Sequence, residues 1–228
     1  VRRDNDDAEQ DFGFDTNGDL DTAAIATFVG SGNNGYVSKW YDQSGNGKDA
    51  EQSTNGNQPQ IYNGSAVITE NGKPAMTFAD TSDVFNISAT GSGSLSVFAT
   101  GYFSMSNAWL FQADSGLNLP DGIALTLDNA SGGRVSFYRS NYGGQNFTGI
   151  SAGQKLASNV FISGTGSTIG LNGSTASQDT QTKSTTAWDV TGTSLIFKQF
   201  SAGTIRAQEL ILYYSDQSSN RSGIETDI

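Results

Sequence analysis

The chain has 228 residues, 12 Lys+Arg against 23 Asp+Glu, 28 Gly, and neither His nor Cys, for a formal net charge of −11. Without His or Cys there is no thiol nucleophile, no Ser-His or Cys-His pair, no Cys/His zinc site and no disulfide. The acidic balance argues against a phosphate-backbone partner, so no nucleic acid is expected. Charged residues make up 15%, below the roughly 25% of an average domain, with Ser, Thr, Asn, Gln and Gly in their place. An 11% share of aromatic residues still supplies a core.

In chain order, Asp21 to Gly30 reads as a short helix. Asp21 or Thr22 caps it, Ala24, Ile25, Phe28 and Val29 share a face, and Gly30 stops it. The period then changes to two. Tyr36–Trp40 reads as a strand entering the turn Asp42–Gly47, and Asn71-Gly72 marks a hairpin between Val67–Thr69 and Ala75–Phe78. Further strands are expected at Val84–Ile87, Leu95–Phe103, Trp109–Gln112, Ile123–Leu127, Val135–Arg139, Val160–Ser163, Thr168–Leu171, Leu195–Phe200 and Ile205–Tyr214. Ser218–Ile228 reads as a second helix. About a dozen strands separated by Gly, Asn, Ser and Asp clusters predict an all-β sandwich or barrel in a single domain over 1–228. No run of 18 apolar residues exists, so no membrane insertion is expected. Gly45-Asn46-Gly47 and Gly164-Thr165-Gly166 lack the strand and helix flanks of a phosphate loop and read as turns.

Three segments carry a resemblance: Val1-Arg2-Arg3-Asp4-Asn5-Asp6-Asp7-Ala8-Glu9-Gln10-Asp11-Phe12-Gly13 with the Leu20–Ala24 helix start, Trp40-Tyr41-Asp42-Gln43-Ser44-Gly45-Asn46-Gly47, and Asn71-Gly72-Lys73-Pro74-Ala75. In this order they resemble the catalytic domain of family 54 α-L-arabinofuranosidases. The resemblance implies a concanavalin A-like jelly-roll β-sandwich with one or two short helices. Ile169–Gly173 and Gly203–Ser215 are similar to laminin-G-like strands. The family has a further strand before its Val-Arg-Arg segment, so the abrupt start is read as that of a fragment or mature chain. Similar domains occur in marine bacterial surface proteins and phage structural proteins, which implies an extracellular, cell-surface or virion location.

The family's hydrolytic pair does not carry over cleanly. Its nucleophile position falls on Asp128 or, in another register, on Ser140. Its acid loop falls on Lys198-Gln199-Phe200-Ser201, which has no carboxylate, and Trp109-Leu110-Phe111 occupies the place of its cysteine pair. Retaining hydrolysis needs two carboxyl groups about 5–5.5 Å apart, and Asp128 with Glu209 is the one alternative pair. The expectation is therefore a non-catalytic carbohydrate-binding or adhesion module. A ligand-free decoration domain of a phage fibre or capsid is the first alternative, and an arabinofuranosidase-like hydrolase the second.

For a glycan or polysaccharide partner the candidate contacts are Tyr138, Arg139, Asn141, Tyr142 and Trp188, which combine aromatic faces with amide and guanidinium donors. Trp40 reads as core, and Trp109 as core in preference to a sugar contact like Trp188. No cofactor is required. Asp15, Asn17, Asp19 and Asp42 are candidate calcium ligands by their oxygen-rich spacing, against a plainer reading as Asx turns and a helix cap. Partners beyond glycan are other domains of a parent protein or virion.

Overall fold

The computed structural model describes residues 1–104, 107–113, 123–128, 133–139, 145–161, 168–177 and 188–228. Its first half contains β1 (Arg2–Arg3), α1 (Thr22–Val29), β2 (Asn34–Tyr36), β3 (Lys39–Trp40), β4 (Ala50–Glu51), β5 (Gln60–Asn63), β6 (Thr69–Glu70), β7 (Lys73–Pro74), β8 (Met76–Phe78), β9 (Phe85–Gly93) and β10 (Leu95–Phe103). There follow β11 (Ala108–Ala113), β12 (Ile123–Asp128), β13 (Arg134–Arg139), β14 (Gln145–Thr148), β15 (Gly153–Phe161), β16 (Thr168–Leu171), β17 (Ser174–Ser177), β18 (Trp188–Gln199), β19 (Ile205–Tyr213) and α2 (Arg221–Asp227).

Among the described residues these strands form two large antiparallel sheets. One runs β1-β2-β5-β8-β19-β10-β15-β16-β17 and the other β14-β13-β12-β11-β18-β9-β4-β3. Apolar side chains from both meet in one core, with Val97, Phe103 and Ile205 facing Phe85, Leu110, Leu125 and Ile196. This is the all-β sandwich with two short helices that the sequence implies. Period-two alternation works on β10, where Leu95, Val97 and Ala99 point to the core and Ser96, Phe98 and Thr100 to the other face. Ser96, Phe98 and Thr100 are buried as well, and the chain after β19 covers Ser96, whose Oγ donates to the Ser215 carbonyl at 2.9 Å.

The local signals act as expected. The Asp21 carboxylate accepts from the Ala24 amide at 2.9 Å, and Gly30, at φ 75°, closes α1. Asn71 and Gly72 both have positive φ, the geometry of a two-residue hairpin turn between β6 and β7. Asn172 and Gly173 repeat it between β16 and β17.

The resemblance-bearing residues hold the fold together. The Arg2 side chain is buried, donating to Gln58 Oε1 at 2.7 Å and to Asp7 at 2.7 Å while lying over the Tyr36 ring. Arg3 pairs with Asp6 and donates to the Phe28 carbonyl at the end of α1. Asp4 accepts from both the backbone and side-chain amides of Asn34 at 2.9 Å. The Trp40 ring packs against Phe85 and Phe197, the core placement the sequence suggests.

Candidate functional site

Two features of the surface are built for contact. The first lies on the outer face of the eight-stranded sheet. Ala108 and Leu110 point into the core, so the intervening Trp109 points outward, partly exposed. The register pairs Trp109 with Thr126 on one side and Lys198 on the other. Phe200, 47% exposed, meets the Trp109 ring at 4.3 Å between centroids. The Phe200 amide donates to the Asn107 carbonyl, which fixes the loop beneath this pair. Lys198 Nζ donates to the Thr81 carbonyl.

A backbone irregularity produces this shelf. The β11–β12 register shifts between Trp109 and Phe111, and Phe197 on β18 has φ 56°. Left-handed backbone at a bulky residue costs of order 1–3 kcal/mol. It places both Ile196 and Phe197 in the core and leaves Lys198 and Phe200 outside. Bulges beside sites re-aim side chains in this way. Gln112 stands on the same outer face, buried, and its Oε1 accepts no hydrogen bond among the described residues.

Three segments singled out by the resemblance, Trp109–Phe111, Leu127–Asp128 and Lys198–Ser201, therefore lie side by side in the strand register, with Trp109 and Phe200 outward. Trp109 belongs to that patch and not to the core, which corrects its reading as a packing residue. Phe200 was missed as a contact because a lone Phe next to Ser201 has no local signature. Only the cross-strand register brings it to Trp109.

The sequence candidates stand as follows. Tyr138 occupies the β13 position paired with Ala124, and Ala124 pairs in turn with Gln112. Arg139 is its neighbour on β13, and Trp188 opens β18 opposite Gly93. Asn141 and Tyr142 lie outside the described residues. Asp128 ends β12 in the eight-stranded sheet, whereas Glu209 sits on β19 in the nine-stranded sheet, opposite Thr100. Asp128 follows the Leu127–Ala108 pair near the β10–β11 connection, and Glu209 lies beyond Ala207, four residues in from Ile205 at that end. At about 3.4 Å per residue and about 10 Å between sheets, the two positions are too far apart for a hydrolytic pair. The structure does not bring Asp128 and Glu209 together.

Two of the calcium candidates, Asp15 and Asp42, close turns. Asp15 Oδ1 accepts from the Asn17 and Asp19 amides at 2.8 and 3.1 Å, and these bonds hold its carboxyl below the usual range. Asp19 lies 3.8 Å from Lys73. Asp42 accepts from the Ser44 and Lys48 amides at 2.8 and 3.0 Å, and its carboxyl is likewise lowered, chiefly by Ser44. Among the described residues no three Asp or Glu side chains group closely enough to hold a metal.

The second feature is a slot of about 1360 Å³ beside β19. Leu210, Leu212, Ile87, Ile196 and Ile61 line its apolar floor and walls, and Tyr41, Asp42, Tyr213 and Tyr214 stand at its rim. Glu209 faces it half-buried, without a hydrogen-bond or ion-pair partner among the described residues, and burial pushes its carboxyl up. Tyr214 is raised by burial and then by Asp42.

The architecture defines a jelly-roll β-sandwich. No protein-family model matches the sequence, and no curated protein matches it either. Solved structures do. An arabinofuranosidase complexed with arabinofuranosyl-α-1,2-xylobiose is similar over 98% of this chain at 18% identity with a TM-score of 0.71. A family 54 α-L-arabinofuranosidase soaked with a cyclic sulfate inhibitor gives 16% identity and 0.68 over the same share. The botulinum neurotoxin serotype D ligand-binding domain in complex with N-acetylneuraminic acid gives 10% identity and 0.53 over 84%. The chain spans 57% of each arabinofuranosidase and 50% of the toxin domain. At these identities the likeness establishes the shared fold, and the resemblance to family 54 extends across nearly the whole chain.

Proposed function

We propose that this sandwich is a non-catalytic carbohydrate-binding module, used for adhesion by an extracellular, cell-surface or virion protein, and that its contact surface is the Trp109–Phe200 shelf. The observation that carries this reading is the exposed aromatic pair on the outer sheet face, where the arabinofuranosidase resemblance puts its hydrolytic loop. Sugar rings present C–H faces that pack on such aromatic surfaces, while hydroxyls bond to neighbouring polar groups. Thr126 and Lys198 flank the shelf in the strand register, and the strand position of Tyr138 lies on the Gln112–Ala124 row. The structures that share the fold include one with an arabinofuranosyl-xylobiose and one with N-acetylneuraminic acid. The acid-loop segment Lys198–Ser201 has no carboxylate, which favours binding over hydrolysis.

The test is a glycan array together with affinity electrophoresis on arabinoxylan, run on the wild-type chain and on Trp109→Ala, Phe200→Ala and Tyr138→Ala. Retention that the shelf variants abolish supports the proposal. No glycan retained points to a decoration domain. Release of 4-nitrophenol from its α-L-arabinofuranoside, lost in Asp128→Asn, establishes a hydrolase instead.

A further inference from the structure

The shelf has a direction. Cross-strand register sets Lys198 beside Trp109, Trp109 beside Thr126, Thr126 beside Ser136 and Ser136 beside Asn146. This row of register positions crosses the strands from β18 through β11, β12 and β13 to β14, and β14 is the edge of the eight-stranded sheet. Beyond Lys198 the row meets the loop between β8 and β9, where the Thr81 carbonyl accepts from the Lys198 ammonium. The four strand-to-strand steps amount to about 19 Å. A second row runs beside the first: Gln112 pairs with Leu195 and with Ala124, and Ala124 pairs with Tyr138. Gln112 is the next outward position on β11 after Trp109, because Leu110 and Phe111 both turn into the core at the bulge. Its buried Oε1 lacks a donor among the described residues.

The residue types along the row are selective. After the aromatic pair come Thr126, Ser136 and Asn146, with Gln112 and Tyr138 in the row alongside. Hydroxyls and amides of this kind bond to sugar hydroxyls. The row holds no carboxylate, and its one cation, Lys198, already has the Thr81 carbonyl. Asp128, two residues along β12 from Thr126, has Arg134 opposite it. A chain at −11 also repels a polyanion. The occupant this selects is uncharged. Its length follows from the spacing. Neighbouring strands lie about 4.8 Å apart, close to the advance of one sugar along an extended β-1,4-linked chain, so each strand offers one polar position per sugar. A single sugar stacked on Trp109 leaves Ser136, two strands away, and Asn146, three strands away, out of reach.

We infer that the shelf is one end of a track for an uncharged, linear β-1,4-linked chain lying across β11 to β14, about four sugars at a time. Trp109 and Phe200 stack one sugar, and Thr126, Ser136 and Asn146 hold the register positions of the sugars that follow. A hydroxyl of the bound chain supplies the donor that Gln112 Oε1 lacks. The inference rests on the carbohydrate reading of the shelf and goes beyond it, since it selects a chain over a single terminal sugar.

The probes are β-1,4-linked xylo-, manno- and gluco-oligosaccharides of one to six units, titrated calorimetrically into the 228-residue chain and into Trp109→Ala and Asn146→Ala, with thermal unfolding of each variant alongside. In at least one series affinity should rise about tenfold or more from one sugar to four and level off beyond four. Trp109→Ala weakens every length. Asn146→Ala weakens tetramers and longer chains about threefold and leaves dimers unchanged. The wild-type length series needs no variant, so a variant that fails to fold leaves the test intact. A monosaccharide that binds as tightly as its tetramer overturns the inference and leaves the carbohydrate reading standing. So does an array that retains glycans through Trp109 while none of the three series binds. Retention of no glycan at all overturns both.

Discussion

The Trp109 ring meets Phe200 edge-on at 4.3 Å between centroids and 64° between planes, one from β11 and the other from the residue after β18, about ninety positions apart. The pair stands outside the core, so it can be removed without opening a cavity. Trp109→Ala and Phe200→Ala should each weaken glycan retention about tenfold or more, near 1.4 kcal/mol. Their loss in stability should stay near the 0.5–1.5 kcal/mol or so of an aromatic pair. Isothermal titration against the best array ligand and thermal unfolding of each variant check both halves. A large loss of melting temperature with unchanged binding would return Trp109 to a packing role.

Phe197 has a different task. It is fully buried, lies 5.2 Å from the Phe78 ring, and adopts φ 56°. Truncating it to Ala removes the ring but keeps a Cβ in left-handed backbone, and should cost about 3–5 kcal/mol. Phe197→Gly removes the Cβ as well. Glycine is normally the poorer residue in a strand, but here it should be more stable than Ala by about 1–2 kcal/mol. Urea denaturation of the two variants measures the inversion. The reverse order would mean that the bulge relaxes once the ring is gone.

Much of this was legible before the structure. The Asp21 cap, the Gly30 stop and the Asn71-Gly72 turn are local effects of one or two residues, and each forms where the sequence puts it. β10 runs over Leu95–Phe103 as expected because its alternation is clean. β1, β4, β5, β7, β14 and β17 were missed, and β15 was expected only from Val160 onward. Gly153–Phe161 is mostly polar or small, and it is a strand because β10 and β16 bracket it, which is a tertiary cause. Gln145–Thr148 is likewise a strand through its pairing to β13. The shelf was half legible: the three motif segments were named, but their adjacency depends on register and on the bulge at Phe197. The slot had no sequence signal, since a space between elements exists only once they are placed.

Glu209 supplies a pH test. Burial raises its carboxyl above the ordinary value of 4.5, with no partner among the described residues to offset the desolvation. The folded state therefore holds the proton more tightly than the unfolded state. The sign follows: stability falls as pH rises from the ordinary value through the raised one, and the penalty persists at neutral pH. Glu209→Gln removes this carboxylate, so it should raise the melting temperature at neutral pH. Well below 4.5, where the group is protonated in both states, the gain should vanish. Thermal scans across this range check the crossover. An equal gain at every pH would assign the effect to packing.

Asp42 has the opposite sign. Its two oxygens accept from the Ser44 and Lys48 amides and close the turn that leads from β3 to β4. These bonds lower its carboxyl below the ordinary 3.8, so its stabilisation is complete above that value and fades as pH falls through the lowered one. Asp42→Ala leaves two solvent-accessible backbone donors without their charged acceptor and should destabilise the chain by about 0.5–1.5 kcal/mol at neutral pH. Asp42→Asn keeps one acceptor oxygen and should lose less. The difference between wild type and Asp42→Ala should shrink in acid, once the wild-type carboxyl is itself protonated. If calcium were bound here, the wild type alone would gain melting temperature when the ion is added and lose it with chelator. A melting temperature that calcium and chelator leave unchanged would leave Asp42 with its turn alone.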